Sequence, residues 1–142
     1  NIPVLSELDT MLERDSKYNT PPCWAIYMLG LVVKWIDEQG GLEVMKEKNE
    51  KKAKLLYDYL DQSDFYKPHA KKDARSNMNV TFTTPSKELD AEFVKESIAA
   101  GMTNLKGHRS VGGIRASIYN AMPYEGVEYL VNFMKEFEEK HK

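Results

Sequence analysis

The chain has 142 residues and a formal net charge of −2, with 42% hydrophobic and 30% charged residues. These values indicate one globular domain and exclude a disordered chain. Basic residues alternate with carboxylates, which disfavours nucleic acid as the main partner. The longest apolar run, Cys23–Val33, is shorter than the roughly 20 residues that span a bilayer, so no membrane partner is expected. The single cysteine excludes an intrachain disulfide framework and is typical of a cytoplasmic protein.

The first third of the chain predicts one strong helix after an irregular start. Residues 1–18 are expected to be a lead-in segment with at most one helical turn from Ser6, and they show no signal-peptide pattern. Two prolines precede the run Trp24–Ile36, which is apolar on nearly every side, and this pattern predicts a buried helix. On spacing alone, Thr20 is expected to be the N-cap of that helix.

The middle of the chain predicts a helix, a loop and a strand. Apolar residues recur at three- and four-residue spacing over Leu42–Gln62, which indicates a second helix. The charged run Glu47–Lys52 is expected to form its solvated face. Residues 63–75 lack periodicity and predict a loop. Strict alternation over Asn77–Thr83, with Met78, Val80 and Phe82 on one face, indicates a half-buried strand.

The last third predicts two helices and two short strands. A third helix is expected over Lys87–Ala100, with Leu89, Phe93 and Ile98 facing inward. Residues 102–106 and 114–119 are strand candidates on either side of a glycine-rich loop. A final helix carries an apolar stripe that consists of Val127, Leu130, Val131, Met134 and Phe137. The fold class predicted from these elements is α+β, with a small antiparallel sheet packed against helices.

The segment Lys106–Arg115 is the strongest functional signal in the sequence. It groups His108, Arg109 and Arg115 with Lys106 around three glycines, although the whole chain is slightly acidic. Guanidinium groups bind phosphate and carboxylate through paired hydrogen bonds, so the pattern favours an anion site. Strand alternation turns Arg115 away from the core face, so two anionic groups of one small molecule could be held. The alternative is a surface hairpin whose arginines are only solvated.

Other kinds of site have little support in the sequence. The single cysteine and the isolated position of His108 argue against nucleophilic catalysis. Histidines and carboxylates do not show metal-ligand spacing, so no metal is expected. The glycine-rich loop lacks the Gly-Lys-Ser/Thr ending of a phosphate-binding P-loop. No catalytic residue is therefore assigned to this chain.

Three blocks of the sequence resemble phosphoserine aminotransferases, a pyridoxal-phosphate-dependent class-V family. The blocks are Tyr18–Pro22 with the following helix, Arg75–Val80, and Gly107–Pro123 with the closing helix. The resemblance implies the C-terminal small domain of the aspartate-aminotransferase fold, over residues 19–142, with residues 1–18 as a remnant of the large-domain boundary. The implied reaction converts 3-phosphohydroxypyruvate and glutamate into O-phosphoserine and 2-oxoglutarate in serine biosynthesis. Phosphohydroxythreonine remains open as a second substrate.

The resemblance also implies roles for individual residues. His108 and Arg109 match the pair that contacts the substrate phosphate, and Arg115 matches the arginine that holds the α-carboxylate. Asn19 and Thr20 match a pair that reaches the cofactor phosphate of the other subunit, which implies a homodimer. This match replaces the purely capping role expected for Thr20, although both roles are compatible.

One part of the family's machinery has no match here. The Schiff-base lysine, the acid that pairs with the cofactor ring nitrogen, and the aromatic residue that stacks on the ring precede the matched region. Lys17 lies in a polar segment without the matching context. Pyridoxal phosphate is therefore not expected to bind covalently to this chain, which should be inactive alone. The alternative function is a non-enzymatic α+β anion-binding or interaction module.

Overall fold

The computed structural model describes residues 3–142, so the first two residues of the predicted lead-in lie outside the described residues. The chain divides into two compact units, Asn1–Gly41 and Leu42–Lys142. The helices are α1 (Leu8–Leu12), α2 (Cys23–Glu38), α3 (Gly41–Gln62), α4 (Lys87–Ala99) and α5 (Tyr124–His141), and the strands are β1 (Lys67–Pro68), β2 (Asn79–Thr83) and β3 (Ile114–Ser117).

The first unit contains an apolar helix that is not buried. None of residues 3–41 is buried, and 73% of Trp24 on α2 is exposed. The prediction of a buried helix is therefore wrong for this chain. The physical reason is that α2 has 16 residues, whereas α1 has five and the turn Val4–Ser6 has three, too few to cover it.

The start of α2 also differs from the expectation. Its N-cap residue is Pro22, and no side chain there accepts a hydrogen bond from the first turn. The prediction that Thr20 caps the helix is therefore wrong. Pro21 and Pro22 lack backbone N–H groups, so fewer donors at this helix end need an acceptor.

The second unit contains a three-stranded antiparallel sheet in the order β1-β2-β3. Its register pairs Lys67 with Thr83 and Thr81 with Arg115. Strand β1 lies within residues 63–75, which were predicted to form a loop. It was not predicted because two residues are too few to show alternation. The predicted strand over 102–106 is wrong, since only Lys106 forms a bridge, to Ile114. The predicted α+β class with a small antiparallel sheet is confirmed.

One hydrophobic core holds the sheet and the helices of this unit. Phe93 of α4 is fully buried, and its ring lies edge-on to Tyr66, Phe82 and Phe137. The predicted apolar stripe of α5 is confirmed, since all five of its residues are buried. The inward position predicted for Ile98 is wrong, because 56% of it is exposed and Ser97 is buried instead. Residues that are four apart lie on the same face of a helix, so Ser97 shares the face of Phe93, whereas Ile98 is five residues after Phe93.

Helix α3 carries an unexpected buried charge. Lys52 was predicted to lie on the solvated face but is only 2% exposed, and Asn49 is also buried. The reason is helical periodicity: Lys52 lies seven residues after Met45 and four before Leu56, both of which are buried. The side chain therefore enters the core face of α3.

Candidate functional site

The glycine-rich segment forms a loop that is closed at its base. Lys106 and Ile114 form an antiparallel bridge, and the Gly107 N–H donates to the Gly113 carbonyl over 2.8 Å. The Arg115 N–H donates to the Leu105 carbonyl, also over 2.8 Å. These contacts join the loop directly to the first residues of β3.

Two of the loop glycines meet steric requirements that other residues would not meet. Gly113 has φ +68°, and a Cβ there would lie 2.7 Å from the Phe82 carbonyl oxygen on β2. A Cβ on Gly107 would overlap the Gly112 carbonyl across the loop. The loop therefore requires glycine at both positions where its two legs meet each other and the sheet.

His108 is held by contacts within the loop. Its carbonyl oxygen accepts from the N–H groups of Val111 and Gly112, over 2.9 and 2.8 Å. Its Nδ1 lies 2.7 Å from Ser110 Oγ and accepts the Ser110 N–H over 3.3 Å. A ring whose Nδ1 is an acceptor carries its proton on Nε2, so Nε2 is the atom able to donate to an anion.

Arg115 is on the outward face of the sheet, opposite Thr81 of β2. Its strand neighbours Ile114 and Ala116 are buried, which confirms the predicted alternation. Arg115 itself is half-buried, and its Nε is shielded from solvent without a hydrogen-bond partner. A guanidinium group has five N–H donors and binds carboxylate through two of them at once.

The cationic groups of the loop are not neutralised internally. Within residues 3–142, no ion pair joins Lys106, Arg109 or Arg115 to a carboxylate. Arg109 and His108 are exposed at the turn, and Arg115 follows the loop base on β3. The structure thus joins the three residues predicted as an anion site on one closed loop and its adjoining strand.

Asn19 and Thr20 belong to the other unit and are described by themselves. Both are exposed just before α2, in a segment without regular structure. Neither side chain forms a hydrogen bond to another of the described residues. The side-chain amide of Asn19 and the hydroxyl of Thr20 can therefore donate hydrogen bonds to a phosphate group.

Two polar residues near the loop were missed by the sequence reasoning. Ser110 contacts the His108 ring, and its position two residues after the histidine could have suggested this. Asn79 of β2 accepts hydrogen bonds from Ser117 Oγ over 3.1 Å and Tyr119 Oη over 3.2 Å. Asn79 and Ser117 are register partners next to the Thr81–Arg115 pair, so the outward face of the sheet is polar around Arg115.

A separate group of possible metal ligands lies away from the loop. Glu92, Glu96 and His141 offer ligand atoms within 4.8 Å of one another. The Glu96 carboxylate is already paired with the ammonium group of Lys140. This group comes from α4 and α5 and contributes nothing to the loop.

None of the helices among residues 3–142 is long and apolar enough to cross a membrane.

Residues 3–130 match the family described as Aminotransferase class-V. The chain belongs to this family. It is 56% identical over 142 residues to the phosphoserine aminotransferase of Desulfatibacillum aliphaticivorans, with 99% of this chain and 39% of that relative covered. It is also 56% identical over 139 residues to the phosphoserine aminotransferase of Lactococcus lactis subsp. lactis, covering 38% of that protein. The chain thus spans about two fifths of the length of these curated relatives.

Solved structures of the same family give the same result. The phosphoserine aminotransferase from Bacillus circulans subsp. alkalophilus superposes with a TM-score of 0.89 at 52% identity, covering 99% of this chain and 39% of that one. The PLP-bound phosphoserine aminotransferase from Trichomonas vaginalis gives a TM-score of 0.83 at 39% identity, covering 94% of this chain and 39% of that one. The fold described above is therefore that of a portion of these enzymes.

Proposed function

We propose that this chain is part of a pyridoxal-phosphate-dependent phosphoserine aminotransferase. The reaction interconverts 3-phosphohydroxypyruvate and glutamate with O-phosphoserine and 2-oxoglutarate. Residues 19–142 form the small domain in this proposal, and residues 1–18 belong to the boundary with the large domain. The observation that carries it is the loop Lys106–Arg115, whose cations have no carboxylate partner among residues 3–142 and suit a substrate with two anionic groups, in a chain 56% identical to a phosphoserine aminotransferase.

Three residues of the loop and its adjoining strand have two roles in the proposal. Arg115 binds the α-carboxylate, which both amino-acid substrates share, because it is a half-buried residue whose backbone is held in a strand. His108 and Arg109 bind the phosphate group, because they are exposed together at the turn. Phosphoserine carries both anions, whereas glutamate offers a second carboxylate to the phosphate position.

The cofactor contacts of this chain are assigned to Asn19 and Thr20. Their exposed side chains are chemically suited to donate hydrogen bonds to the cofactor phosphate of the other subunit, which makes the homodimer part of the proposal. Pyridoxal phosphate, when bound, supplies an electron sink for negative charge at the substrate α-carbon. Trp24 and Tyr27 of α2 are both mostly exposed in this chain. Exposed apolar side chains of this kind favour burial against a partner, so they would be covered in such an assembly.

We further propose that this chain alone does not catalyse transamination. Lys17 is exposed and contacts Asp15, and it lies in a polar segment. Lys52 is buried, but its ammonium group donates to three carbonyl oxygens of the protein itself. Neither lysine has the setting of a residue that holds the cofactor covalently.

The proposal is tested with the complete gene product that contains these residues. We expect it to transfer the amino group of glutamate to 3-phosphohydroxypyruvate when pyridoxal phosphate is present. The sequence upstream of Asn1 should encode a domain with the cofactor lysine. Binding of O-phosphoserine without transamination, together with an unrelated upstream domain, would instead support a non-enzymatic anion-binding module.

A further inference from the structure

Lys52 places a positive charge inside the core of the second unit. Its Nζ donates to the carbonyl oxygens of Ile118, Tyr119 and Met122, over 3.2, 2.7 and 2.9 Å. An ammonium group has three N–H donors, so all of them are used. No ion pair joins Lys52 to a carboxylate among residues 3–142, and burial lowers the pKa of its amine. A buried charge that is balanced only by carbonyl dipoles is costly, and an apolar side chain would pack there at lower cost.

The three carbonyl groups belong to one short segment, residues 118–122, which directly follows β3. Asn49, one turn before Lys52, adds a hydrogen bond from its Nδ2 to Asn120 Oδ1 over 2.8 Å. The segment contains a turn in which the Met122 N–H donates to the Tyr119 carbonyl. We call these contacts of Lys52 and Asn49 with residues 118–122 the α3 clamp. It fixes the end of β3 to a 22-residue helix.

Strand β3 is four residues long and all of them pair with β2 on one side, where the Ile118 N–H continues the pairing by donating to the Met78 carbonyl over 2.9 Å. On the other side it has only the Lys106 bridge and the Arg115–Leu105 hydrogen bond at its start, so the clamp is what holds this side beyond Arg115. The loop at its start is exposed over residues 108–112. The direction of the strand at Arg115 therefore depends on its pairing with β2 and on how the segment after the strand, from three residues later, is held.

We propose that Lys52 is a positioning residue for the substrate site, because it fixes the end of β3 and thereby the direction of the Arg115 guanidinium group. This inference rests on the proposed function, since it gives Lys52 an effect on substrate carboxylate binding. It also explains why a charged residue occupies the core face of α3. The hydrogen bonds of Lys52 go to the segment after β3 and not to the loop, so Lys52 acts through the strand.

The test compares Lys52→Met with Lys54→Met in the complete gene product. Met matches the length of the lysine stem and packs in the core but cannot donate to the carbonyl groups. Lys54 is on the same helix, but its side chain is 74% exposed and pairs with Asp58, so its replacement is a matched control. Lys52→Met should raise KM for glutamate and for O-phosphoserine about tenfold and change kcat less than about twofold, as expected when a binding group is displaced by a fraction of an ångström. Lys54→Met should leave both KM values unchanged.

Hydrogen exchange provides a readout that does not depend on activity. In Lys52→Met, amides of residues 114–122 should exchange about tenfold faster, while those of α4 and α5 keep their protection. If exchange rises equally across the whole second unit, or if KM stays at the wild-type value, Lys52 is only a core residue and the proposal is wrong. If the wild-type protein does not transaminate, the proposed function fails, and the exchange pattern alone decides whether the clamp fixes β3.

A milder variant covers the case in which Lys52→Met does not fold. Asn120→Ala removes the Asn49–Asn120 hydrogen bond from the segment side, replaces no residue of α3 and keeps the three hydrogen bonds of Lys52. It should raise both KM values about threefold, because one of the four clamp hydrogen bonds is lost. Unchanged KM values for this variant would overturn the proposal.

Discussion

Arg75 and Arg115 have the same guanidinium chemistry but opposite surroundings. Each has an Nε that is shielded from solvent without a partner. The Nη atoms of Arg75 donate to both carboxylate oxygens of Asp61, one of them over 2.9 Å, and its guanidinium carbon lies 4.4 Å from the centre of the Tyr57 ring. Among residues 3–142, no carboxylate forms an ion pair with Arg115 and no aromatic ring lies against its guanidinium group. The terminal nitrogens of Arg75 are therefore paired within the fold, whereas those of Arg115 have no carboxylate partner among residues 3–142 and can bind an external anion.

The largest effect is expected from Arg115→Ala. Removal of a charge-assisted pair that leaves the partner charge buried costs about 2–5 kcal/mol. In the complete gene product, kcat/KM should therefore fall by at least about thirtyfold for both glutamate and O-phosphoserine. The matched control is Arg115→Lys. It should recover part of the loss because it keeps the charge, but not all of it because lysine lacks the paired donors of arginine. Steady-state kinetics with each substrate check this, and a loss limited to one substrate would contradict the shared-carboxylate role.

A smaller and more selective effect is expected from His108→Ala and Arg109→Ala. A hydrogen bond to a charged group contributes about 1.5–3 kcal/mol. Affinity for O-phosphoserine should therefore fall about tenfold or more, and affinity for glutamate should fall less, because a carboxylate offers less charge than a phosphate. The ratio of the two KM values measures the selectivity. Equal losses for both substrates would mean that the turn does not distinguish phosphate from carboxylate.

Replacement of Arg75 should change stability instead of substrate binding. The hydrogen bond from Arg75 is the main cause that lowers the pKa of Asp61 from 3.8 to about 2. A carboxyl group whose folded pKa is depressed adds stability above its unfolded pKa, and that stability is lost as the pH falls from about 4 to about 2. Since Asp61 is exposed, screening limits the contribution to about 1 kcal/mol or less.

The variant that tests this is Arg75→Leu. Its free energy of unfolding at pH 7 should be lower by about that amount, and its stability should depend less on pH between about 4 and 2. Urea unfolding at several pH values provides the measurement. Lys72→Leu is the control, because Lys72 contacts the same carboxylate over 3.2 Å but is 78% exposed. An unchanged acid dependence in Arg75→Leu would show that the Arg75–Asp61 pair is not formed in solution.

No covalent cofactor binding is expected for the 142-residue chain alone. The chain is mixed with pyridoxal phosphate, treated with borohydride and then digested. No peptide that contains Lys17 or Lys52 should carry a reduced adduct of the cofactor. Lys52 is the informative residue, since burial lowers its pKa as in many reactive lysines, but its donors are occupied by carbonyl groups. Mass spectrometry that locates a reduced adduct on Lys52 would contradict the clamp as well.

The isolated chain is also expected to self-associate through α2. The exposed apolar side chains of this helix include Trp24, Ile26, Tyr27, Leu29 and Val33. Exposed apolar patches of this kind favour association in water. Sedimentation velocity over a range of concentrations checks this, and a monomer at high concentration would contradict it. Trp24→Glu should reduce the association, whereas Val111→Glu on the loop should not.

The sequence predicted the loop and the outward direction of Arg115 because strand alternation depends only on neighbouring residues. It predicted the stripe of α5 for the same local reason. It failed for α2 because all-round hydrophobicity predicts a buried helix but does not identify the residues that would cover it, and Trp24 of this helix is 73% exposed. It failed for Lys52 because the run of charges around it concealed its place in the helical repeat of Met45 and Leu56. The carbonyl groups that hold Lys52 are 66 to 70 residues away, and no local pattern contains that information.

The most direct test of the account compares Arg115→Ala with Arg75→Leu in single-turnover half-reactions of the complete gene product. Each variant is mixed with glutamate alone and with O-phosphoserine alone, so that binding of each amino donor is measured without the other. Arg115→Ala should weaken binding of both donors, and Arg75→Leu should weaken binding of neither. Normal affinity of Arg115→Ala for both donors, together with normal phosphoserine affinity of the His108 and Arg109 variants, would contradict the assignment of this loop as the substrate anion site.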